Sequence, residues 1–127
     1  LRSDIQCYAR MLHLIGHFDL GHYGLIQHLA KNVYRFLLKN GDKSRVMGAV
    51  LKFLRRAYHL RPDEMMPAFQ ALYNTLIPLK NDPFERRAFI YLDLISWLES
   101  KMQAASFGQI IHLKFLEEQR QQVQSNS

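Results

Sequence analysis

The sequence predicts an all-α domain of five to six antiparallel helices, arranged as a bundle or an α-solenoid-like stack. Three observations predict it. Apolar residues recur at three- and four-residue spacing along most of the chain, and no stretch shows the two-residue alternation of a half-buried strand. The breaks between periodic stretches carry helix-ending chemistry: Gly21, Asn40-Gly41, Arg61-Pro62 and Lys80-Asn81. The connections are about two to five residues long, which makes consecutive helices antiparallel neighbours. At 127 residues and 48% apolar composition the chain suffices for one domain with a substantial core.

The first helix is predicted over about residues 4–19, with Ser3 as its N-cap. Ile5, Tyr8, Leu12, Ile15 and Phe18 form its apolar face with Met11 beside them, and Gln6, Arg10, His13 and His17 form the polar strip. The second, about 22–39, runs through Leu25, Ile26, Leu29, Val33, Phe36 and Leu37 to the Asn40-Gly41 stop. Asp42 is expected to cap the third, about 43–60, whose apolar set is Val46, Met47, Val50, Leu51, Leu54 and Tyr58. Pro62 pushes Arg61 out of helical geometry and ends it. The fourth, about 63–79, has Asp63 and Glu64 at its positive end; Pro67 is expected in its early turns, and Pro78 kinks or ends it near Ile77.

A central helix is expected over about 82–103. Asp82 reads as its N-cap, Pro83 as its first residue and Glu85 as the returning member of a capping box. Phe84, Ala88, Tyr91, Leu92, Ile95, Leu98 and Met102 then give a wide apolar arc, with Trp97 in the core. Ser106 and Gln109 form a second capping box, predicting a last helix over about 107–121. The domain is expected to span residues 1–121, with a polar, fraying tail over 122–127.

Net charge is +6 and uneven. Residues 31–61 carry nine bases (Lys31, Arg35, Lys39, Lys43, Arg45, Lys52, Arg55, Arg56 and Arg61) against the single acid Asp42, while residues 1–30 balance and residues 62–127 are slightly acidic. Lys31, Arg35 and Lys39 make one stripe, and Lys52, Arg55, Arg56 and His59 a second on the third helix. If the two helices pack antiparallel the stripes adjoin. These lysines and arginines are the candidate site for a partner or for nucleic acid, with Tyr34 or Tyr58 available for stacking. The bland alternative is a solvated outer face. No helix-turn-helix reading helix supports sequence-specific DNA binding.

Catalytic motifs are absent: no phosphate loop, no nucleophile elbow, no dinucleotide fingerprint. Asp93 and Glu99 are six residues apart and do not share a helix face, and Glu117-Glu118 lies near a helix end. His13 and His17 share a face, with His22 and His28 following, but Leu14, Ile15 and Gly16 occupy the positions where a metalloprotease helix carries its glutamate. A polar surface strip is the expectation there, so no metal, no cofactor and no enzymatic activity are expected. The single cysteine, Cys7, forms no internal disulfide and reads as buried, in keeping with a reducing, cytoplasmic setting. No apolar run is long enough for a membrane span. The chain begins at Leu1 and is expected to be a piece of a longer protein, whose targeting signal would lie upstream.

The turn Leu20-Gly21-His22-Tyr23 resembles the Gly-x-Tyr turn between the two helices of a tetratricopeptide repeat, over about 34 residues. Where that family has small residues on facing helices this chain has Leu14, Ile26 and Val33, and the second helix pair does not repeat the signature. The run from Tyr8 to Met102 also looks like the helical-repeat ends of long bacterial proteins, on the strength of Phe18-Asp19-Leu20-Gly21, Tyr34-Arg35-Phe36-Leu37, Asp82-Pro83-Phe84-Glu85 and Ser96-Trp97-Leu98-Glu99-Ser100-Lys101. The resemblance implies the capping segment of an α-solenoid, a scaffold that binds a protein partner. An apolar face of helix one left without its preceding repeat would then be exposed and could pair two copies of the chain. Taken together, the sequence reads as a non-catalytic interaction module, with a nucleic-acid-binding helical domain as the alternative and a metal-binding or enzymatic domain using His13, His17 and His22 as the least favoured reading.

Overall fold

Two glycines in left-handed backbone conformation set the path of the first three helices. The computed structural model describes residues 2–125, the side chains of residues 2, 3 and 108–110 excepted. Helix α1 spans Arg2–Asp19, α2 Tyr23–Lys39 and α3 Arg45–Arg56. Gly21 has φ 78° and Gly41 φ 68°. After α1, the His22 N–H donates to the His17 carbonyl and the Gly21 N–H to that of Phe18, both at 3.0 Å. After α2, Asp42 N–H donates to Leu37 at 2.9 Å and Gly41 N–H to Leu38 at 3.1 Å. Both are Schellman closures, which satisfy the last carbonyls of a helix and turn the chain back on itself.

α3 continues as a 3-10 turn, Ala57–His59, and α4 spans Pro62–Leu76. Pro62 occupies the first position of α4, and Glu64 accepts the Arg61 N–H at 3.1 Å. Pro78 ends α4 as expected, and the chain passes through a second 3-10 segment, Ile77–Asn81. Two more helices follow, α5 over Arg86–Tyr91 and α6 over Leu94–Ser125. No strand occurs among the described residues, and the chain is all-α. α1 packs on α2, α2 on α3, α3 on α4 and α4 on α6, with α1 also reaching α3.

The structure corrects four sequence expectations. The continuous helix over 82–103 does not form. Residues 83–85 make a turn, and α5 and α6 are separated at Leu92-Asp93, where Leu92 is extended. Leu92 and Leu94 are both about 1% exposed. Two residues apart on one helix they would point to nearly opposite sides; the break lets each bury its own side chain. Second, the Ser106 box opens no new helix: α6 runs through it to Ser125, and the side chain of Gln109 lies outside the described residues. Third, α3 is capped by Ser44, whose hydroxyl accepts the Met47 N–H at 3.2 Å, rather than by Asp42. Fourth, α1 begins at Arg2, so Ser3 lies inside its first turn; its side chain is outside the described residues.

The core is centred on α3, not on the 82–103 segment. Val46, Met47, Val50, Leu51, Phe53 and Leu54 are all buried. α1 contributes Cys7, Met11, Leu14, Ile15 and Phe18, a face rotated from the expected one, which leaves Ile5 and Leu12 half exposed. Phe18 joins Phe53, Phe69 and Trp97 in an aromatic cluster with centroids 5.5 to 6.1 Å from its own. Trp97 is only partly buried, and its Nε1–H donates to Asp19 at 3.0 Å. Phe84, expected in the core, is 94% exposed. The distal half of α6 also exposes Phe107, Ile111, Leu113 and Phe115. No helix among the described residues is long and apolar enough to cross a membrane.

The α3 N-terminus is held from a distance. Glu85, 3% exposed, accepts hydrogen bonds from Ser44 Oγ at 2.8 Å, Arg45 N at 2.7 Å and Val46 N at 3.2 Å. A carboxylate on first-turn N–H groups offsets both the unpaired donors and the positive end of the helix dipole. Arg45 adds an ion pair with Asp82 at 2.6 Å.

Candidate functional site

The close packing of α2 on α3 brings part of the basic segment together. Lys31 from α2 and Lys52, Arg55 and Arg56 from α3 line one groove of about 350 Å³, with Gln27, Tyr34, Gly48, Leu51 and His59 completing it. All four cationic side chains are exposed. Among the described residues none of them is within ion-pairing distance of a carboxylate, and no acid lines the groove. Gln27 Nε2 and His59 Nε2 meet at 3.0 Å and tie the α2 rim to the 3-10 turn after α3.

Arg35 and Lys39 do not reach this groove. A four-residue step turns about 40° beyond a full helical turn, so Lys39 sits about 80° round α2 from Lys31. Both remain exposed on the same helix. Tyr34 lines the groove and is 47% exposed, so its ring is open to a ligand. Tyr58 instead lies over Gly24, where an added Cβ would meet its ring at 3.6 Å.

Lys52 and Arg56 also form one wall of a second groove, about 540 Å³, between α3 and α4. Asp63 and Glu64 line that one. The two surfaces therefore differ in electrostatic character although they share a ridge.

Sequence reasoning missed Gly48, Gln27 and Leu51 as groove residues. Gly48 carried a signal: a glycine inside an amphipathic helix lowers stability unless the backbone must be approached closely. No such approach occurs here: Gly48 is exposed, and a Cβ there would meet nothing within 4 Å but would project into the open space beside the groove that it lines.

The histidines of α1 are also drawn together. His13 Nε2 and His17 Nε2 are 3.2 Å apart, and His17 Nδ1 is 3.0 Å from His22 Nδ1. The Schellman closure at Gly21 carries His22 back over the last turn of α1. Partial desolvation, followed by repulsion from His13 and His22, holds the His17 imidazole below its usual pKa. Cys7 is buried, and its thiol is pushed up by burial and then by Asp42 and Asp4. It is a packing residue, not an activated nucleophile.

Compared with known proteins, the chain matches no family model, no curated protein and no solved structure.

Proposed function

We propose that this chain is a non-catalytic helical interaction domain that binds an anionic segment of a protein partner in the groove between α2 and α3. One observation carries the reading: four cations surround a groove that no acid lines. Basic residues that merely solvate a surface are usually interspersed with acids; here the acids go elsewhere and a concave strip of one sign remains. Stacking of α1 to α4 on successive neighbours fits a helical-repeat scaffold of the kind the tetratricopeptide-like turn implies.

A second reading, nucleic acid, is favoured by Tyr34. An open ring among cations is what single-stranded nucleic acid uses for base stacking beside phosphate neutralisation.

Fluorescence anisotropy with a labelled acidic peptide and with single- and double-stranded oligonucleotides, at 50 and 200 mM salt, tests both. Four phosphate contacts on a single strand imply a roughly fifty-fold loss of affinity between those conditions. Lys52→Glu with Arg55→Glu should abolish binding of either probe, whereas Arg35→Glu, outside the groove, should weaken it only slightly. Tighter binding of the oligonucleotide than of the peptide favours the second reading. Absence of binding to every probe at 50 mM salt refutes both.

A further inference from the structure

We infer that His13 and His17 form a bidentate binding site for a late first-row divalent metal ion, with His22 as the residue that orients it. Two imidazole nitrogens about 2.0 to 2.1 Å from one ion, at an angle between 90° and 110°, stand about 2.9 to 3.4 Å apart. The Nε2 atoms of His13 and His17 are 3.2 Å apart. Their four-residue spacing on α1 sets this separation, as in other helices that chelate a metal through two histidines.

The third imidazole gives the pair its direction. A metal-bound histidine generally donates its other ring N–H to an acceptor, which fixes the tautomer and the ring plane. His17 Nδ1 meets His22 Nδ1 at 3.0 Å. With the proton on Nδ1 of His17, its Nε2 carries the free lone pair on the side of His13. His22 cannot be a ligand of the same ion through this contact, because it faces the opposite nitrogen of His17. The chelate is therefore two-coordinate from protein, with water completing the shell; no group of three or more His, Cys, Asp or Glu converges on one point among the described residues. His13 is exposed and His17 half exposed, so an ion reaches the pair directly. In the metal-free pair His13 Nε2–H donates to His17 Nε2; on binding, His13 takes its Nδ1–H tautomer by proton exchange with water, and a small ring rotation aims both freed lone pairs at the ion.

Imidazole donors in an open site rank Cu²⁺ above Ni²⁺ and Zn²⁺. The test is titration of Cu²⁺ into the tag-free, chelator-treated chain, followed by calorimetry and electron paramagnetic resonance. One ion per chain is expected, with a spectrum of two equatorial imidazole nitrogens. His13→Ala or His17→Ala should each remove the saturable site, and His22→Ala should weaken it about 10- to 100-fold while keeping the two-nitrogen signature. His28→Ala and His112→Ala should leave it unchanged. All five positions are exposed or half exposed, and circular dichroism of each variant checks that it folds. Unchanged stoichiometry and affinity in His17→Ala, or no one-to-one binding by the parent chain, overturns the inference. Loss of the site in His28→Ala overturns it as well.

Discussion

Truncating Glu85 to alanine should destabilise the chain more than any other single change on its surface loops. Three donors lose their acceptor at once: the Ser44 hydroxyl and the Arg45 and Val46 backbone N–H groups, at 2.8, 2.7 and 3.2 Å. Each buried donor left unpaired costs about 1–3 kcal/mol. Arg45 is exposed and water can reach part of this network, so the sum falls at the lower end, about 3–5 kcal/mol. Glu85→Gln keeps one acceptor oxygen but removes the charge at the helix N-terminus, for a loss of about 1–2 kcal/mol. Asp82→Ala breaks the pair between the exposed Arg45 and the half-buried Asp82 and removes the acceptor of the Phe84 N–H at 2.9 Å, and should lose about 0.5–1 kcal/mol. Urea unfolding followed by circular dichroism gives all three values. At roughly 3–5 °C per kcal/mol for a chain of this size, Glu85→Ala also lowers the melting temperature by about 10–20 °C. A loss below about 1 kcal/mol for Glu85→Ala, or an equal loss for Asp82→Ala, would refute the long-range cap.

Gly21→Ala forces a side chain into the left-handed region at φ 78° and should cost about 1–2 kcal/mol in the same assay, although nothing clashes with the added Cβ. Gly48→Ala should raise stability by about 0.5–1 kcal/mol, while Gly48→Leu, entering open space, should fill the groove and weaken binding of the anionic probe without unfolding the chain. Cys7 should resist a thiol reagent in the native chain and react once urea unfolds it. Because its folded pKa is raised, the unfolded state loses the proton first; stability held below pH about 9 should fall as pH rises past that value, and Cys7→Ala should remove that part of the decline in an alkaline unfolding series.

Much of the fold was readable because its signals are local. Gly21, Gly41 and Pro62 each act within a turn of where they stand, and they place the ends of the first three helices within a few residues of where the structure has them. Glu85 shows why the rest was not. Its spacing from Asp82 satisfies the local capping-box rule, yet its carboxylate reaches a helix about 40 residues earlier in the chain. Spacing cannot distinguish a residue that caps its own helix from one that caps another. Leu92 and Leu94 fail for a related reason: an apolar arc wide enough for a central helix is also what two short segments with different buried faces produce. In the site, the sequence's expectation that the two stripes adjoin holds for Lys31 with Lys52, Arg55 and Arg56. The drift of about 40° per four-residue step that carries Arg35 and Lys39 away was open to helical geometry too, but which end of the stripe meets α3 needed the packed structure.

The unpaired cations of the groove work against stability, which bears on the role proposed for them. Asp82 and Glu85 pair with Arg45, Asp63 and Glu64 with Arg61, Asp4 with Arg87 and Asp19 with Lys101. These pairs hold loops, helix ends and the aromatic cluster, and they use up most of the acids near the folded core. Lys52 and Arg56, four residues apart on α3, are left as a like-charged pair, an arrangement that lowers helix stability by a few tenths of a kcal/mol before Arg55 and Lys31 are added. A glycine lining the groove within α3 lowers it further. A surface needed only for solubility would be served as well by alternating signs and an alanine at position 48. Two separate concessions of stability around one acid-free groove fit the proposed role, in which an anionic ligand would both neutralise the repulsion and occupy the space beside Gly48.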